Sequence, residues 1–158
     1  VVQLLDRAKK KVDIVSPWLI YEKLETTGIL SQLQATVNRG VIVNIYTDKH
    51  FNTTIANRTA RQKQEAFDKA CEALKELGIT VNVIDGIHSK IILADDKYMT
   101  VGSFNWFSAA REGKYANVET SLVYAGDLTK ETKTHIDFLT TRTLKQYLGS
   151  SCPSTTFA

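Results

Sequence analysis

The chain has 158 residues, 43% of them hydrophobic, with a formal net charge of +3 at pH 7 and two cysteines. That length and apolar content suit one domain with a real core and exclude a wholly disordered chain. No apolar run reaches membrane-spanning length, two cysteines make no disulfide framework, and the mild positive charge permits an anionic partner without proving one.

Val1 to Lys11 reads as a helix with Val1, Leu4, Leu5 and Ala8 on one side. Its basic end, Arg7 and Lys9 to Lys11, suits the negative end of the helix dipole. Because these charges follow the short apolar run, the segment is not a signal peptide. Val at position 1 reads as the start of a piece of a longer chain or of a processed product, and the expected compartment is cytoplasmic. VDIVSPWLI predicts a buried strand ended by Ser16-Pro17. Trp18, just past it, is expected to pack in the core, with a place lining a pocket at the strand end as the alternative.

From Glu22 to Arg39, Leu24, Ile29, Leu30, Leu33 and Val37 predict one helix stopped at Gly40. VIVNIYTD then reads as a strand buried on both faces. Strand, helix and strand in that order predict a parallel pair and an α/β fold. Lys49 to Gln64 has no core periodicity and reads as a loop leading into a helix. Its Lys49, Arg58, Arg61 and Lys63 make it either a surface for a phosphate backbone or an ordinary solvated basic segment. Phe67, Ala70, Cys71, Leu74 and Leu77 form the stripe of the next helix, closed by Gly78, and ITVNVID is the strand after it. Both Cys71 and Cys152 are read as free thiols.

Asp85-Gly86 marks a turn into His88–Asn105, HSKIILADDKYMTVGSFN, where most of the chemistry is concentrated. IHSKIILA and YMTVGS predict two strands joined by a tight turn at Asp95 to Lys97. Alternation along a strand puts His88 and Lys90 on one face. If the hairpin closes on that turn, Ser103 and Asn105 return beside them, and Gly102 allows the backbones to approach. One imidazole, one ammonium and two neutral hydrogen-bonding side chains suit a tetrahedral phosphate, with His88 able to attack phosphorus or shuttle a proton. The alternative is a buried polar hairpin with one structural His.

The spacing of His88, Lys90, Asp95, Gly102, Ser103 and Asn105 resembles the signature of the phospholipase D superfamily. The resemblance covers the motif fully, and the order of strands and helices around it looks like one phospholipase D-like repeat. It implies a mixed, largely parallel β-sheet flanked by helices on both faces, with residues 1–149 as the catalytic domain and 150–158 as a tail. It implies further that His88 is the nucleophile, forming a phosphohistidine without metal or other cofactor. Lys90, Ser103 and Asn105 would then hold the phosphate. Asp95, of opposite strand parity to His88, is read as a structural member of the motif. Glu119, opening the run NVETSLVY, is the candidate for orienting His88; a solvated strand-edge acid is the equal alternative. Trp106, Arg111 and Lys114, just past the motif, suggest a basic and aromatic rim that would suit nucleotides. An amphipathic helix from about Lys130 to Leu148, with Ile136, Leu139, Thr143 and Tyr147 inward, finishes the domain.

In-line displacement needs an acid for the leaving oxygen as well as a nucleophile, and the chain has one H-x-K motif. Superfamily members use two such motifs, in one chain or on two subunits, so the resemblance implies a homodimer with the site shared across a two-fold axis, or else a second half-site in a longer parent chain. The expected function is a metal-independent phosphodiesterase on nucleic acid, DNA before RNA, acting as an endonuclease. The alternatives are phospholipid headgroup hydrolysis or transfer with the same residues, and a nucleic-acid-binding module of a larger restriction, repair or helicase-type protein.

Overall fold

A computed structural model of the chain describes residues 2–53, 59–108 and 118–149, with side chains through residue 143. Its strands are β1 Lys11–Val15, β2 Ile42–Thr47, β3 Thr80–Val83, β4 Ile91–Ala94, β5 Tyr98–Gly102 and β6 Ser121–Ala125. They form one mixed sheet in the order β3-β2-β1-β4-β5-β6. The β3-β2-β1 core is parallel, and β4, β5 and β6 add to it by antiparallel pairing. Connection length explains the division, because parallel neighbours need a crossover whereas antiparallel ones need only a turn. The first crossover consists of α2 Tyr21–Thr26 and α3 Ile29–Asn38, the second of α4 Lys49–Thr53 and α5 Ala60–Glu76.

Strand alternation sorts the core into two clusters. Val12, Ile14, Val43, Ile45, Ile92 and Ala94 point to one face, where they meet Leu5 of α1 Val2–Arg7, Leu24, Leu33 and the α5 stripe Phe67, Ala70, Cys71 and Leu74. Val15 and Tyr46 point to the other, against Ile136 and Leu139 of α6 Thr129–Gly149. Fully burying each such aliphatic side chain stabilises the fold by about 1.5–3 kcal/mol. Cys71 is a free thiol on the buried stripe, its pKa pushed up to about 11, mainly by burial.

Several expectations are corrected. The single helix over Glu22 to Arg39 is two helices, because Gly28 takes the left-handed φ +70 between them and stands as the N-cap residue of α3. Lys49 to Gln64 was expected as a loop leading into a helix: Lys49–Thr53 is itself helical, while α5 begins at Ala60 behind a Thr59–Gln62 capping box and includes Arg61 and Lys63. Strands β4 and β6 are shorter than the apolar runs that predict them, leaving His88, Lys90 and Glu119 just outside the ladder. Tyr147, Cys152 and the 150–158 tail lie outside the described side chains. Among the described residues no helix is long and apolar enough to cross a membrane.

Candidate active site

The motif hairpin closes where the sequence places its turn. Lys97 N donates to Ala94 O at 3.0 Å across Asp95 and Asp96, both with positive φ (54 and 52), the backbone sign of a type I′ turn. Ile91 then pairs with Val101, and Gly102 N donates to Lys90 O at 3.2 Å, so the two motif ends meet. Gly102 is required by the neighbouring strand: a Cβ there would lie 2.6 Å from Thr120 O and 2.8 Å from Ser121 Cα. A larger residue would force β5 and β6 apart beside Glu119.

At this end of the sheet His88 is exposed and Lys90 is buried, with Lys90 Nζ 3.4 Å from His88 Nε2. Burial pushes the Lys90 ammonium pKa down, opposed by the field of Glu119. The Glu119 carboxylate accepts a hydrogen bond from Ser103 Oγ, whose oxygen also accepts from Thr120 N at 3.3 Å. Glu119 is the candidate for orienting His88, with a solvated strand-edge acid as the equal alternative; the hydrogen bond it makes within the described chain is with Ser103. The reason is local, since Gly102 and Ser121 are paired strand residues and bring Ser103 and Glu119 to adjacent rungs. Asn105 opens the turn after β5, with its Oδ1 buried and without a hydrogen-bond partner among the described residues.

Asp95 stands apart from this cluster. Its carboxylate accepts from the backbone N–H groups of Lys9, Lys10 and Lys11 at 2.7, 2.7 and 2.9 Å, fastening the hairpin tip to the start of β1. It is the structural motif member that its parity predicts.

Trp18 does not pack in the core as expected. Its ring lies edge-on to His88 at 5.6 Å and tilted to Phe51 at 5.0 Å, and Phe51 is 5.2 Å from His88. Lys90 Nζ is 5.4 Å from the Trp18 ring centroid. β1 ends at Val15, and the Ser16-Pro17 step that follows leads Trp18 out over the strand ends.

Behind this ring cluster are residues that the sequence reading missed. Asp48 is 1% exposed; Oδ1 accepts from Phe51 N at 2.9 Å, and Oδ2 from Gly86 N at 2.6 Å and Ile87 N at 3.0 Å. One carboxylate thereby holds both α4 and the turn that delivers His88. Asn52, 3% exposed, accepts from Leu19 N at 2.6 Å and donates to Pro17 O at 3.0 Å, pinning the backbone on both sides of Trp18. An acid at a strand end three residues before a helical N–H is a capping signal in the sequence; the reach to residues 86 and 87 has none.

Among the expected nucleic-acid contacts, Lys49 is exposed at the start of α4 and Lys63 is half-buried on α5. Arg61 is exposed but paired with Glu65 at 2.7 Å one helical turn on. Trp106 is corrected: it is 8% exposed within the core cluster and lies edge-on to Phe104, because the turn after Asn105 folds it under the sheet rather than outward. Arg58, Arg111 and Lys114 lie outside the described residues. No group of three or more His, Cys, Asp or Glu side chains among the described residues is placed to hold a metal ion.

A mixed sheet flanked by helices, with an imidazole, an ammonium, a hydroxyl and a carboxylate gathered at one end, defines an α/β domain with a polar cluster at a sheet end. The family model described as "Cardiolipin synthase, PLD-like domain" matches residues 1–138, and the chain belongs to this phospholipase D-like family. Among solved structures it is similar to Nuc from Salmonella typhimurium, a phospholipase D family member, with TM-score 0.64 and 23% identity, covering 89% of this chain and 82% of that one. Phosphatidylserine synthase from Haemophilus influenzae follows the same fold at TM-score 0.60 and 16% identity, covering 92% of this chain and 34% of that one. The archaeal chromatin protein TrmBL2, whose structure shows a mode of DNA binding, does so at 0.55 and 12%, covering 89% and 46%. No curated protein matches the chain significantly by sequence.

Proposed function

We propose that the protein is a metal-independent phosphodiesterase that cleaves nucleic acid, DNA before RNA, through a phosphohistidine on His88, with its site shared between two copies of the chain. The observation that carries this reading is the 3.4 Å pairing of His88 Nε2 with the buried Lys90 ammonium beside the Ser103–Glu119 pair. Lys90 supplies the charge for the phosphate, Ser103 and Asn105 the directed hydrogen bonds, and Glu119 fixes Ser103 and opposes the fall in the Lys90 pKa. Neutral Nε2 attacks phosphorus; a P–N bond forms while the P–O bond to the leaving group breaks. The leaving oxygen takes the proton of the second copy's imidazolium. Water then attacks phosphorus, gives its proton to that second imidazole and releases His88 as the P–N bond breaks.

Exposed Lys49, together with Arg58, Lys63, Arg111 and Lys114, supports a polyanionic substrate; Arg61 contributes less because Glu65 offsets its charge. The similarity to a DNA-binding chromatin protein supports it too. The free Cys71 thiol accords with a cytoplasmic location. The second reading, phospholipid headgroup hydrolysis or transfer, is favoured by the description of the matching family and by the similarity to a phosphatidylserine synthase. Incubation with single- and double-stranded DNA and, separately, phospholipid vesicles in excess chelator decides between them. Cleavage of DNA by the wild type, reduced at least about a thousand-fold in His88→Ala, is expected. Headgroup release without DNA cleavage selects the lipid reading, and activity that requires added magnesium excludes the metal-free mechanism.

A further inference from the structure

We propose that Trp18 and Phe51 form a stacking subsite for a nucleobase beside the phosphate bound at His88 and Lys90. This rests on the nucleic-acid reading above and identifies which part of that substrate the protein recognises. Both rings are half-buried, in contact with each other at 5.0 Å, and each touches His88, at 5.6 and 5.2 Å. A group covalently attached to a phosphate on His88 and Lys90 therefore reaches this surface first.

Two features of the rings' surroundings favour a ligand surface over simple packing. The first is that the support is polar and rigid rather than apolar. Asn52 holds the chain at Pro17 and Leu19 on either side of Trp18, and Asp48 caps the turn carrying Phe51 while also holding the turn before His88. Two buried side chains thus fix rings and nucleophile in one frame, so little ordering accompanies binding. The second is the charge. Lys90 Nζ lies 5.4 Å from the Trp18 ring centroid, so the wall already faces one cation. A quaternary-ammonium headgroup on the same wall would be repelled by Lys90, whereas a neutral planar base would not. Base–aromatic stacking is sequence-tolerant, because every base has a π-face, and the subsite would select for the presence of a base rather than for its identity.

The test compares kcat/KM on a single-stranded oligo-dT with that on an abasic strand of equal length, for wild type, Trp18→Ala, Trp18→Phe and Phe51→Leu. Using the ratio of the two substrates cancels any change a variant causes at His88. Wild type is expected to prefer oligo-dT by about ten-fold or more, the preference expected of one to two stacked bases. Trp18→Ala brings that ratio close to one, Trp18→Phe retains most of it, and Phe51→Leu reduces it in part. A wild-type ratio near one overturns the subsite while leaving the nuclease reading intact, as does a ratio that Trp18→Ala leaves unchanged. Failure to cleave either strand, with headgroup release from vesicles, overturns the nuclease reading and the subsite with it.

Discussion

Asp95 illustrates how much one carboxylate decides. Burial pushes its pKa up, but the backbone hydrogen bonds from Lys11, Lys9 and Lys10 outweigh burial and hold it below the usual carboxylate range. A lowered folded pKa means stability that is present above about 3.8 and lost as pH falls through the folded value. Asp95→Asn tolerates the positive φ at this position, so it isolates the charge and its hydrogen bonds. Urea denaturation is expected to show this variant about 1–3 kcal/mol less stable at pH 7, with the gap narrowing toward pH 3. Equal stability at both pH values would remove Asp95 as the clasp between hairpin and β1. Its hydrogen-bonding role accords with its strand parity, and the approach of His88 to Lys90 at the closed end of the hairpin was expected from spacing. Trp18 and Trp106 were not placed as expected, because they lie three and four residues past the ends of β1 and β5, where direction is set by the following turn.

At the level of elements, α6 docks on the second face of the sheet beside an unusual polar group. Asp13, 2% exposed, accepts from Asn44 Nδ2 at 2.8 Å and pairs with Lys11 at 2.9 Å. Burial, with Asp13 adding to it, pushes the Tyr46 hydroxyl pKa strongly up. His135 of α6 presents a buried Nε2 with no hydrogen-bond partner among the described residues, and burial pushes its pKa down against the pull of Asp13. A histidine whose folded pKa lies below 6.5 contributes stability above 6.5 that is lost as pH falls through the window between 6.5 and the folded value. The thermal midpoint is therefore expected to drop between pH 7 and pH 5, and His135→Leu should flatten that drop. An unchanged pH slope in the variant would assign the acid sensitivity elsewhere. The existence and inward residues of this helix were readable from periodicity, with Leu139 and Ile136 inward as expected; the buried Asp13 opposite it was not, because an acid inside a β-branched run reads as a solvent-facing position.

For the whole molecule, the sheet ends in an edge strand, β6, that the described residues leave uncovered. Leu122 is 72% exposed and pairs with the partly exposed Val101, and Tyr124, 48% exposed, lies on the same face two residues on. Exposed apolar side chains on one face of an edge strand are where association with another chain is expected, and they adjoin the end of the sheet that carries Ser103 and Glu119. They support the proposed pairing of two copies. Sedimentation of the active protein is expected to give twice the 17.7 kDa chain mass, and Leu122→Glu to give monomers with little remaining cleavage. A wild type that stays monomeric at concentrations where it cleaves substrate would overturn the shared site.

By itself the sequence determined the α/β class, the first parallel crossover, the tight hairpin and the spacing of the motif. These depend on local periods and turn chemistry, which the chain states residue by residue. Only the tertiary structure decided that Glu119 accepts from Ser103, that Trp106 is core and Trp18 is not, and that Asp48 and Asn52 hold the surroundings of His88. Those pairings join residues 33 to 39 positions apart or lie across neighbouring strands, where direction is set by how strand ends and turns are stacked in space and leaves no period in the sequence.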